Sequence, residues 1–497
     1  MKQLARDTTI YGVSNFVGKF LNWLLVPYYV RVLESTAEYG IVTNLYAWSA
    51  LLLVILTYGM ETTFFRFINK NKDDNPMSVY TTSLVSLLIS SSLFVVLLFL
   101  FLHPLSGFLG YADYPDYVAL LGVIIAIDAF CSIPFAYLRY QGKAFRFAGI
   151  KMLSVFLNIA FNLFFFIACP WLNKVAPELI SWFYQPGYGV GYILVSNVIA
   201  SAVVLLLLLP EIFASFGYKA DFKLLRHMLG YAFPILLLGI AGIFNQTADK
   251  IIFPTLFDDR EYANEQLGIY GACFKIAVIM VMFIQAFRYA YEPFIFAKNK
   301  NADNKRSYSE AMKYFIIFAL LIFLVVMFYL DIIKGILVES YYPGLSVVPI
   351  VMIGEIFFGI YFNLSLWYKL TDQTRYGAWF SLVGCLLTVG IILLFAPVYG
   401  FIACAWASFA SNLLMLLLSY FIGQKKYPIQ YDLRSALTYL IIAAAIYAAG
   451  MLLPIENLIL RMAYRTVLLA LFVAYIIKKD LPLAEIPYLN RLIKKKH

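Results

Sequence analysis

The chain has 497 residues, of which 63% are hydrophobic and only 13% are charged, and its formal net charge is +10. A chain of this length and apolarity is not an ordinary soluble enzyme, and it predicts a protein built mostly inside a membrane. Because the basic residues are scattered over many short loops, they favour contact with anionic lipid headgroups and argue against a nucleic-acid partner.

About fourteen apolar segments follow one another along the chain. A segment of roughly twenty apolar residues crosses the hydrocarbon layer as a helix, and lipid forces each helix to satisfy its own backbone hydrogen bonds. We therefore predict an all-α polytopic membrane protein. Its transmembrane helices, numbered spans 1 to 14, are expected at approximately 10–33, 41–64, 79–102, 117–138, 147–169, 188–210, 229–252, 267–287, 314–330, 344–367, 378–396, 399–421, 435–453 and 461–477.

The charges of the loops predict the orientation. With the N-terminus in the cytoplasm, most of the 38 Lys and Arg residues fall on cytoplasmic segments, as the positive-inside rule requires. Loop 139–151 on that side is basic, whereas loop 253–266 on the other side is acidic. An even number of spans returns the C-terminus to the cytoplasm.

An internal repeat is visible at the starts of two pairs of spans. Tyr and a small residue open span 1 at 11–12 and span 7 at 231–232, and a tripeptide ending in Gly begins span 2 at 38–40 and span 8 at 266–268. Six spans per repeat give both halves one orientation, which predicts a pseudo-two-fold axis along the membrane normal and a site between the halves. The expected organisation is two six-helix lobes, an extra pair made of spans 13 and 14, and a basic cytoplasmic tail, at 1–215, 222–423, 431–477 and 478–497.

Span 1 carries a polar stripe with a cation in its middle. Spacings of four, four and three residues place Tyr11, Asn15, Lys19 and Asn22 on one helical face. Such a stripe suits an anionic ligand rich in hydroxyl groups, such as a sugar diphosphate. The alternative is that Lys19 extends to the membrane surface or pairs with a neighbouring helix.

Carboxylates inside the spans are candidates for ion coupling. Asp128 in span 4 and Glu355 in span 10 lie near the middle of the bilayer, and Asp249 lies in span 7. A carboxylate at this depth binds a proton or Na⁺ and links its charge to conformation. The alternative is structural neutralisation by a lysine of another helix, for which Lys19 and Lys275 are candidates.

Further charges lie at the ends of the spans. Arg31 and Lys250 are expected near the outer mouth, where they would receive a phosphate or serve as interfacial anchors. Glu61 and Arg66, at the inner end of span 2, are expected to form a local ion pair or a gate. The three histidines and five cysteines are scattered, so no metal site is predicted.

The chain shows no nucleotide-binding motif, and no outer loop clusters the acidic or histidine residues of a glycan enzyme. We therefore expect a transporter and not an enzyme. It would need no cofactor, its energy coming from coupling to H⁺ or Na⁺, from the substrate gradient or from a partner.

Several segments at the start of the chain resemble one known family. These are YGVSNFVGKF at 11–20, VPYYVRVL at 26–33, AEYGIVTNLYAW at 37–48 and FFR at 64–66. They are similar to the polysaccharide transporters, or Wzx-type lipid-linked oligosaccharide flippases. That family belongs to the superfamily that also contains MATE drug exporters and lipid II flippases.

The resemblance implies a two-lobed transporter that opens alternately to either face. Its cationic cavity is lined by spans 1, 2, 7 and 8, so Lys19, Arg31, Lys250 and Lys275 become candidates for a sugar-linked pyrophosphate. Spans 13 and 14 correspond to a pair that helps to hold the polyprenyl tail.

The function implied is translocation of polyprenyl-diphosphate-linked oligosaccharides across the bacterial cytoplasmic membrane for O-antigen, capsule or exopolysaccharide assembly. Membrane lipids are expected partners, as are a polysaccharide polymerase and glycosyltransferases. The alternatives are an ion-coupled exporter of cationic amphiphiles, which predicts a cavity dominated by Asp128, Asp249 and Glu355, and a membrane-embedded glycan-assembly enzyme or scaffold.

Overall fold

A computed structural model describes residues 2–70, 75–298, 304–371 and 373–480, and within them the secondary structure is helical, without a strand. Up to residue 213 the helices are α1 (Lys2–Trp23), α2 (Val26–Val32), α3 (Thr36–Thr57), α4 (Met60–Lys70), α5 (Pro76–Leu100), α6 (Leu102–Leu109), α7 (Pro115–Tyr140), α8 (Ala144–Leu163), α9 (Cys169–Val175), α10 (Pro177–Ile180), α11 (Val190–Leu207) and α12 (Leu209–Phe213). The α-helix passes into a π-helical turn at Phe164–Ala168, just before α9.

The later helices are α13 (Phe222–Ile252), α14 (Arg260–Lys298), α15 (Asn304–Phe328), α16 (Leu330–Ile333), α17 (Val347–Leu364), α18 (Leu366–Leu370), α19 (Arg375–Tyr399), α20 (Phe401–Lys426), α21 (Leu433–Leu452) and α22 (Leu458–Lys479). Short 3₁₀ segments occupy Phe253–Leu256, Lys334–Ile336 and Glu339–Ser346.

Within the described residues, 13 helical stretches are long and apolar enough to cross a membrane, so the prediction of an all-helical multi-pass membrane protein is confirmed. They correspond to predicted spans 2 to 14. The predicted first span, 10–33, is also helical, but it forms α1 and α2 and is not among the 13. Its apolar residues are diluted by the polar stripe, and the chain turns at Leu24 and Leu25, just before Pro27, which lacks an N–H group.

The chain divides into two compact units. Unit 1 comprises Met1–Lys275, Glu339–Gly344 and Ser381–Ser408. Unit 2 comprises Ile276–Val338, Leu345–Phe380 and Phe409–His497. The two lobes of six helices and the extra pair stay a prediction, and most of the predicted tail at 478–497 lies outside the described residues.

In unit 1, α3 begins with a capping arrangement. The hydroxyl of Ser35 accepts a hydrogen bond from the backbone N–H of Glu38 at 3.2 Å, and the carboxylate of Glu38 accepts one from the N–H of Glu34 at 2.9 Å. These bonds satisfy N–H groups that the first turn of a helix leaves without partners. The glutamate that precedes Tyr39-Gly40 therefore has a structural role.

Two glycines bring α3 and α14 together within unit 1. A Cβ atom on Gly40 would overlap the backbone carbonyl of Asn264, and one on Gly268 would overlap the carbonyl of Thr36 and lie 3.0 Å from the backbone nitrogen of Gly40. Small residues allow helix backbones to approach closely in lipid, where packing drives association. The two glycines of the repeated tripeptides are thus contact points between spans 2 and 8.

In unit 2, ion pairs fix the start of α22. The carboxylate of Asp331 lies 2.8 Å from Nη1 of Arg465 and 3.1 Å from Nε of Arg461. Arg465 is buried, and it also donates to the backbone carbonyl of Phe328 at 3.0 Å. These contacts tie the first turns of α22 to the end of α15.

The other end of α22 is fixed by Asp480. Its carboxylate lies 2.7 Å from Nζ of Lys313 in α15 and accepts a hydrogen bond from the hydroxyl of Tyr439 in α21. Burial disfavours the charged carboxylate, but the hydrogen bonds from Lys313 and Tyr439 outweigh it and hold the pKa of Asp480 below its usual value. The last two apolar helices are thereby joined to α15.

We predict that Gly268→Ala lowers the free energy of unfolding by about 2 kcal/mol, because the new methyl group meets backbone that cannot move aside. The matched control is Gly390→Ala in α19, where nothing lies within 4 Å of the added Cβ. There the change should stabilise the helix by up to about 1 kcal/mol. Thermal unfolding of the purified protein measures both effects. Equal midpoints for the two variants would contradict the close contact between α3 and α14.

We predict that Asp480→Asn destabilises the protein by about 1–3 kcal/mol near neutral pH. Because the pKa of Asp480 is lowered on folding, its contribution is complete above the unfolded carboxyl value of about 4 and is lost as the pH falls through the lower folded value. The difference from the unmodified protein should therefore shrink in acid. Asp432→Asn is the control, since asparagine caps α21 as well as aspartate does. A pH-independent difference in thermal midpoint would refute the role of Asp480.

Candidate substrate and ion sites

A lysine and an aspartate pair at the end of α13. Nζ of Lys250 lies 2.9 Å from Oδ2 of Asp249, and the hydroxyl of Tyr270 in α14 donates to the same oxygen at 2.6 Å. The two side chains are only 14% and 7% exposed. An ion pair this well enclosed neutralises the carboxylate that the sequence proposed for ion coupling.

Contacts with two further helices fix the position of this pair. The ammonium of Lys250 lies 4.2 Å from the ring centroid of Phe274, a cation–π arrangement. The side chain of Asn44 in α3 donates to the backbone carbonyl of Lys250 at 2.6 Å, and Tyr111 donates to Asn44 at 2.7 Å. The end of α13 is thus bound to α3.

Lys275 adds a second cation close to this pair. It lies on α14 one turn beyond Tyr270, within electrostatic range of Lys250, and no carboxylate in the described part of the chain pairs with it. Asp249 balances one of the two lysines, so the group keeps an excess positive charge. We name Asp249, Lys250, Tyr270, Phe274 and Lys275 the cationic cluster.

The polar stripe of α1 reaches α14 at the same level. Nε1 of Trp23 donates to the backbone carbonyl of Lys275 at 2.7 Å. Trp23 follows Lys19 by one turn and adjoins Asn22, and both of these predicted residues are exposed. The structure does not describe the side chain of Asn15.

Arg31, the fourth candidate cation, is exposed at the end of α2. Its Nη1 donates to the backbone carbonyl of Pro27 at 2.5 Å, one turn earlier. This contact is local to α2 and does not place the guanidinium in the cationic cluster.

Asp128 has different surroundings from Asp249. It lies on α7, a helix that α3, α5, α8 and α11 enclose, yet its side chain is accessible to a molecule of the size of water. The hydroxyl of Ser201 in α11 donates to Oδ1 at 2.8 Å, and Lys151 in α8 lies within electrostatic range.

The third candidate carboxylate, Glu355, belongs to unit 2. It lies in α17, is half-buried, and follows Gly354, whose carbonyl accepts a hydrogen bond from Asn412 at 3.2 Å. Asp249 and Asp128 both belong to unit 1 but have separate partners.

Glu61 and Arg66 do not pair with each other in the described chain. Glu61 lies 2.7 Å from Nη2 of Arg139 in α7, and the guanidinium of Arg66 lies 4.0 Å from the ring centroid of Tyr231. Five residues apart on a helix, the two side chains point in different directions, which is why the predicted local pair is replaced by these contacts. A gate at this position stays a prediction.

Sequence reasoning missed several partners of the candidate residues. Lys151 seemed to be a residue of a basic cytoplasmic loop, but α8 begins at Ala144 and carries it two turns into the helix. Asn44 and Tyr270 carry no sequence signal beyond being polar groups within apolar spans. Among the described residues, no group of three or more His, Cys, Asp and Glu side chains is placed to hold a metal ion.

Comparison with known families agrees with this architecture. The profile of a family described as polysaccharide biosynthesis protein matches residues 4–299, more than half of the chain. The chain belongs to this family. The family resemblance of its opening segments is thereby confirmed, while no curated protein matches the chain significantly.

Solved structures show the same fold. The lipid II flippase MurJ, in an inward closed conformation, superposes with a TM-score of 0.73 at 13% identity, covering 95% of this chain and 99% of MurJ. An inward-facing MATE family multidrug resistance transporter has a TM-score of 0.65 at 13% identity, with 82% and 94% covered. The MATE multidrug transporter DinF-BH, in complex with R6G, has a TM-score of 0.61 at 16% identity, with 86% and 96% covered.

We predict that Lys275→Met makes the protein more stable by about 1–3 kcal/mol, because it removes an unbalanced and partly desolvated cation. Asp249→Asn should have the opposite effect, since it leaves Lys250 without its carboxylate. Thermal unfolding of both purified variants provides the measurement. A loss of stability in Lys275→Met would show that Lys275 has a structural partner, against the excess charge inferred here.

Proposed function

We propose that this chain is a flippase that moves polyprenyl-diphosphate-linked oligosaccharide units across the bacterial cytoplasmic membrane for cell-surface polysaccharide assembly. In this proposal it works by ion-coupled alternating access, with both termini in the cytoplasm. The partners would be the lipid-linked oligosaccharide, membrane lipids, and the polymerase and glycosyltransferases that use the same lipid.

The observation that carries the proposal is the excess positive charge of the cationic cluster. A lysine in a membrane span without a carboxylate partner costs free energy, so spans tolerate one mainly where function requires it. A diphosphate supplies the missing negative charge, and ammonium groups replace part of the hydration that it loses in the protein. Lys275 and Lys250 would hold the diphosphate, with Lys19 and Asn22 facing the sugar-linked end.

Family and fold support the same substrate class. The family is one of polysaccharide biosynthesis, and one structural neighbour is by name a lipid II flippase. We carry over from these only the class of cargo, a glycan joined to a lipid. The exposed apolar faces of α21 and α22 suit the lipid tail, which can stay in the membrane while the headgroup crosses.

For ion coupling we select Asp128 over Asp249 and Glu355. Asp249 is already neutralised by Lys250 and Tyr270. The side chain of Asp128 is exposed and has a hydroxyl partner, which leaves its carboxylate able to take up H⁺ or Na⁺. Glu355 belongs to unit 2 and is half-buried in α17.

An exporter of cationic amphiphiles is the rival function, because MATE transporters share the fold. Such a cargo needs an acidic site. Asp249 is neutralised by Lys250, and Lys275 lies near them. The net positive charge of the cluster would therefore repel a cation.

The test is mass spectrometry of lipid-linked glycans from cells that lack the protein, complemented with the unmodified protein, with Lys275→Ala or with Lys275→Arg. We expect complete lipid-linked units to accumulate in the deletion strain. The unmodified protein should clear them, Lys275→Arg should do so partly, and Lys275→Ala should fail to do so.

Lys174→Ala, at the end of α9, is the matched control and should clear the units fully, since Lys174 is exposed and far along the chain from the cluster. Intact surface glycans without accumulation in the deletion strain would count against the flippase, and resistance to cationic dyes would then be measured to test the exporter.

A further inference from the structure

Two charged residues of unit 1, with a phenylalanine between them, lie along one face of α7. Asp128, Phe135 and Arg139 are seven and four residues apart, which places them on the same face of the helix. From Asp128 to Arg139 this line covers about 16 Å at 1.5 Å per residue. Asp128 lies in the middle of the span, and Arg139 lies at the end that the loop charges place in the cytoplasm.

Lys151 fills the gap between the two charged residues of α7. Its Nζ lies 4.1 Å from the ring centroid of Phe135, a cation–π contact that holds the ammonium over the α7 face between Asp128 and Arg139. Lys151 and Asp128 attract each other electrostatically. Among the described residues, Lys151 is the cation that acts on Asp128.

The next pair along the line is Glu61 and Arg139, 2.7 Å apart. Lys151 also feels the charges of both of these residues. The groups that face Lys151 are therefore Asp128 and Cys131 on one side and Glu61 and Arg139 on the other. Those that face Asp128 are Lys151 and the Ser201 hydroxyl. The order of charges from mid-membrane to the inner end is minus, plus, then an ion pair.

We propose that Lys151 is the tethered counter-ion of Asp128 and competes with H⁺ or Na⁺ for its carboxylate, making the pair the ion-coupling element of unit 1. This inference rests on the proposed ion-coupled function and assigns its second residue. When H⁺ or Na⁺ binds Asp128, the attraction that draws α8 towards α7 at this level is lost, and Lys151 is held by Phe135 and Glu61. When the ion leaves, the attraction returns.

Competition of this kind gives the coupling ion a mechanical effect. A carboxylate that lacked a tethered cation would change only its own charge on binding H⁺ or Na⁺. Here the same event also releases a lysine of a second helix, so ion binding and the packing of α7 on α8 become linked equilibria. Lys151 is thus a positioning residue, since it acts through Asp128 and Phe135.

The pair is tested by a double-mutant cycle on the purified full-length protein, using Asp128→Asn, Lys151→Gln and the double variant, with thermal unfolding as the readout. Each single change leaves one charge unbalanced, so both should lower the midpoint. The double change leaves none, and we expect it to recover at least half of the summed loss. Additive losses would overturn the proposal. A control cycle uses Lys143→Gln in place of Lys151→Gln, because Lys143 is an exposed lysine just before α8. Its effect on the midpoint should add to that of Asp128→Asn.

The competition is tested on the same variants by replacing choline with Na⁺ and by lowering the pH. The midpoint of the unmodified protein should respond to Na⁺ or to pH, that of Lys151→Arg should respond similarly, and that of the double variant should lose the response. A double variant that responds as the unmodified protein does would overturn the proposal. No glycan is present in this experiment. If the glycan assay fails but the coupling is observed, the flippase function is refuted and the pair stands. If the glycan assay succeeds but the coupling is absent, the pair is refuted and the flippase function stands.

Discussion

A charge without a partner in the membrane interior costs free energy. In unit 1 the surroundings of three intramembrane charges differ. Asp249 is neutralised by the adjacent Lys250 and by Tyr270. Asp128 has an exposed side chain and a lysine at electrostatic distance. Lys275 has a second lysine for a neighbour and no carboxylate among the described residues. A cation in a membrane span without a carboxylate partner costs free energy, so the cationic cluster is the part of unit 1 that an anion would stabilise.

Close backbone contact at one end of the spans is the second constraint. Because lipid tails are as apolar as leucine, helices in a membrane associate through packing and not through exclusion of water. Gly40 and Gly268 allow α3 and α14 to touch with no side chain between them. This contact lies at the starts of spans 2 and 8. Lys275 lies two turns further along α14, so this contact and three residues of the cationic cluster, Tyr270, Phe274 and Lys275, lie on one helix.

The sequence was sufficient to predict the transmembrane helices and the ionisable residues within them, but not the partners of these charges. Hydropathy places spans 2 to 14, because a helix in lipid needs a fixed length of apolar residues whatever its neighbours are. The two tripeptides ending in Gly40 and Gly268 indicated a repeat, and the structure adds that they touch. Pairings such as Glu61 with Arg139 join residues 78 positions apart, so spacing along one helix could not reveal them.

Lys151 shows why the remainder escaped prediction. In the sequence Lys151 adjoins a basic loop, so it was not assigned to a helix interior. The packing of α8 on α7 places its ammonium over Phe135. Asp249 shows the converse, since its partner is the next residue in the chain, yet neighbours in a helix normally face different directions. Local pattern therefore identifies the ionisable residues of a membrane span, whereas tertiary packing decides which of them stay reactive.

The span made of α3 and α4 touches both sites of unit 1. Near one end, Asn44 holds the backbone of Lys250. Near the other, Glu61 pairs with Arg139, beside Lys151. Between them the helix is interrupted at Tyr58 and Gly59, both at positive φ, where α4 starts afresh.

An interruption of this kind lets two helical segments change their relative angle without breaking either. In the proposed mechanism, release of Lys151 from Asp128 alters the charges that Glu61 and Arg139 experience at the end of α4. The α3 segment, bound to Lys250 through Asn44, connects that event to the cationic cluster. In this proposal one span, interrupted between α3 and α4, connects the ion site to the anion site.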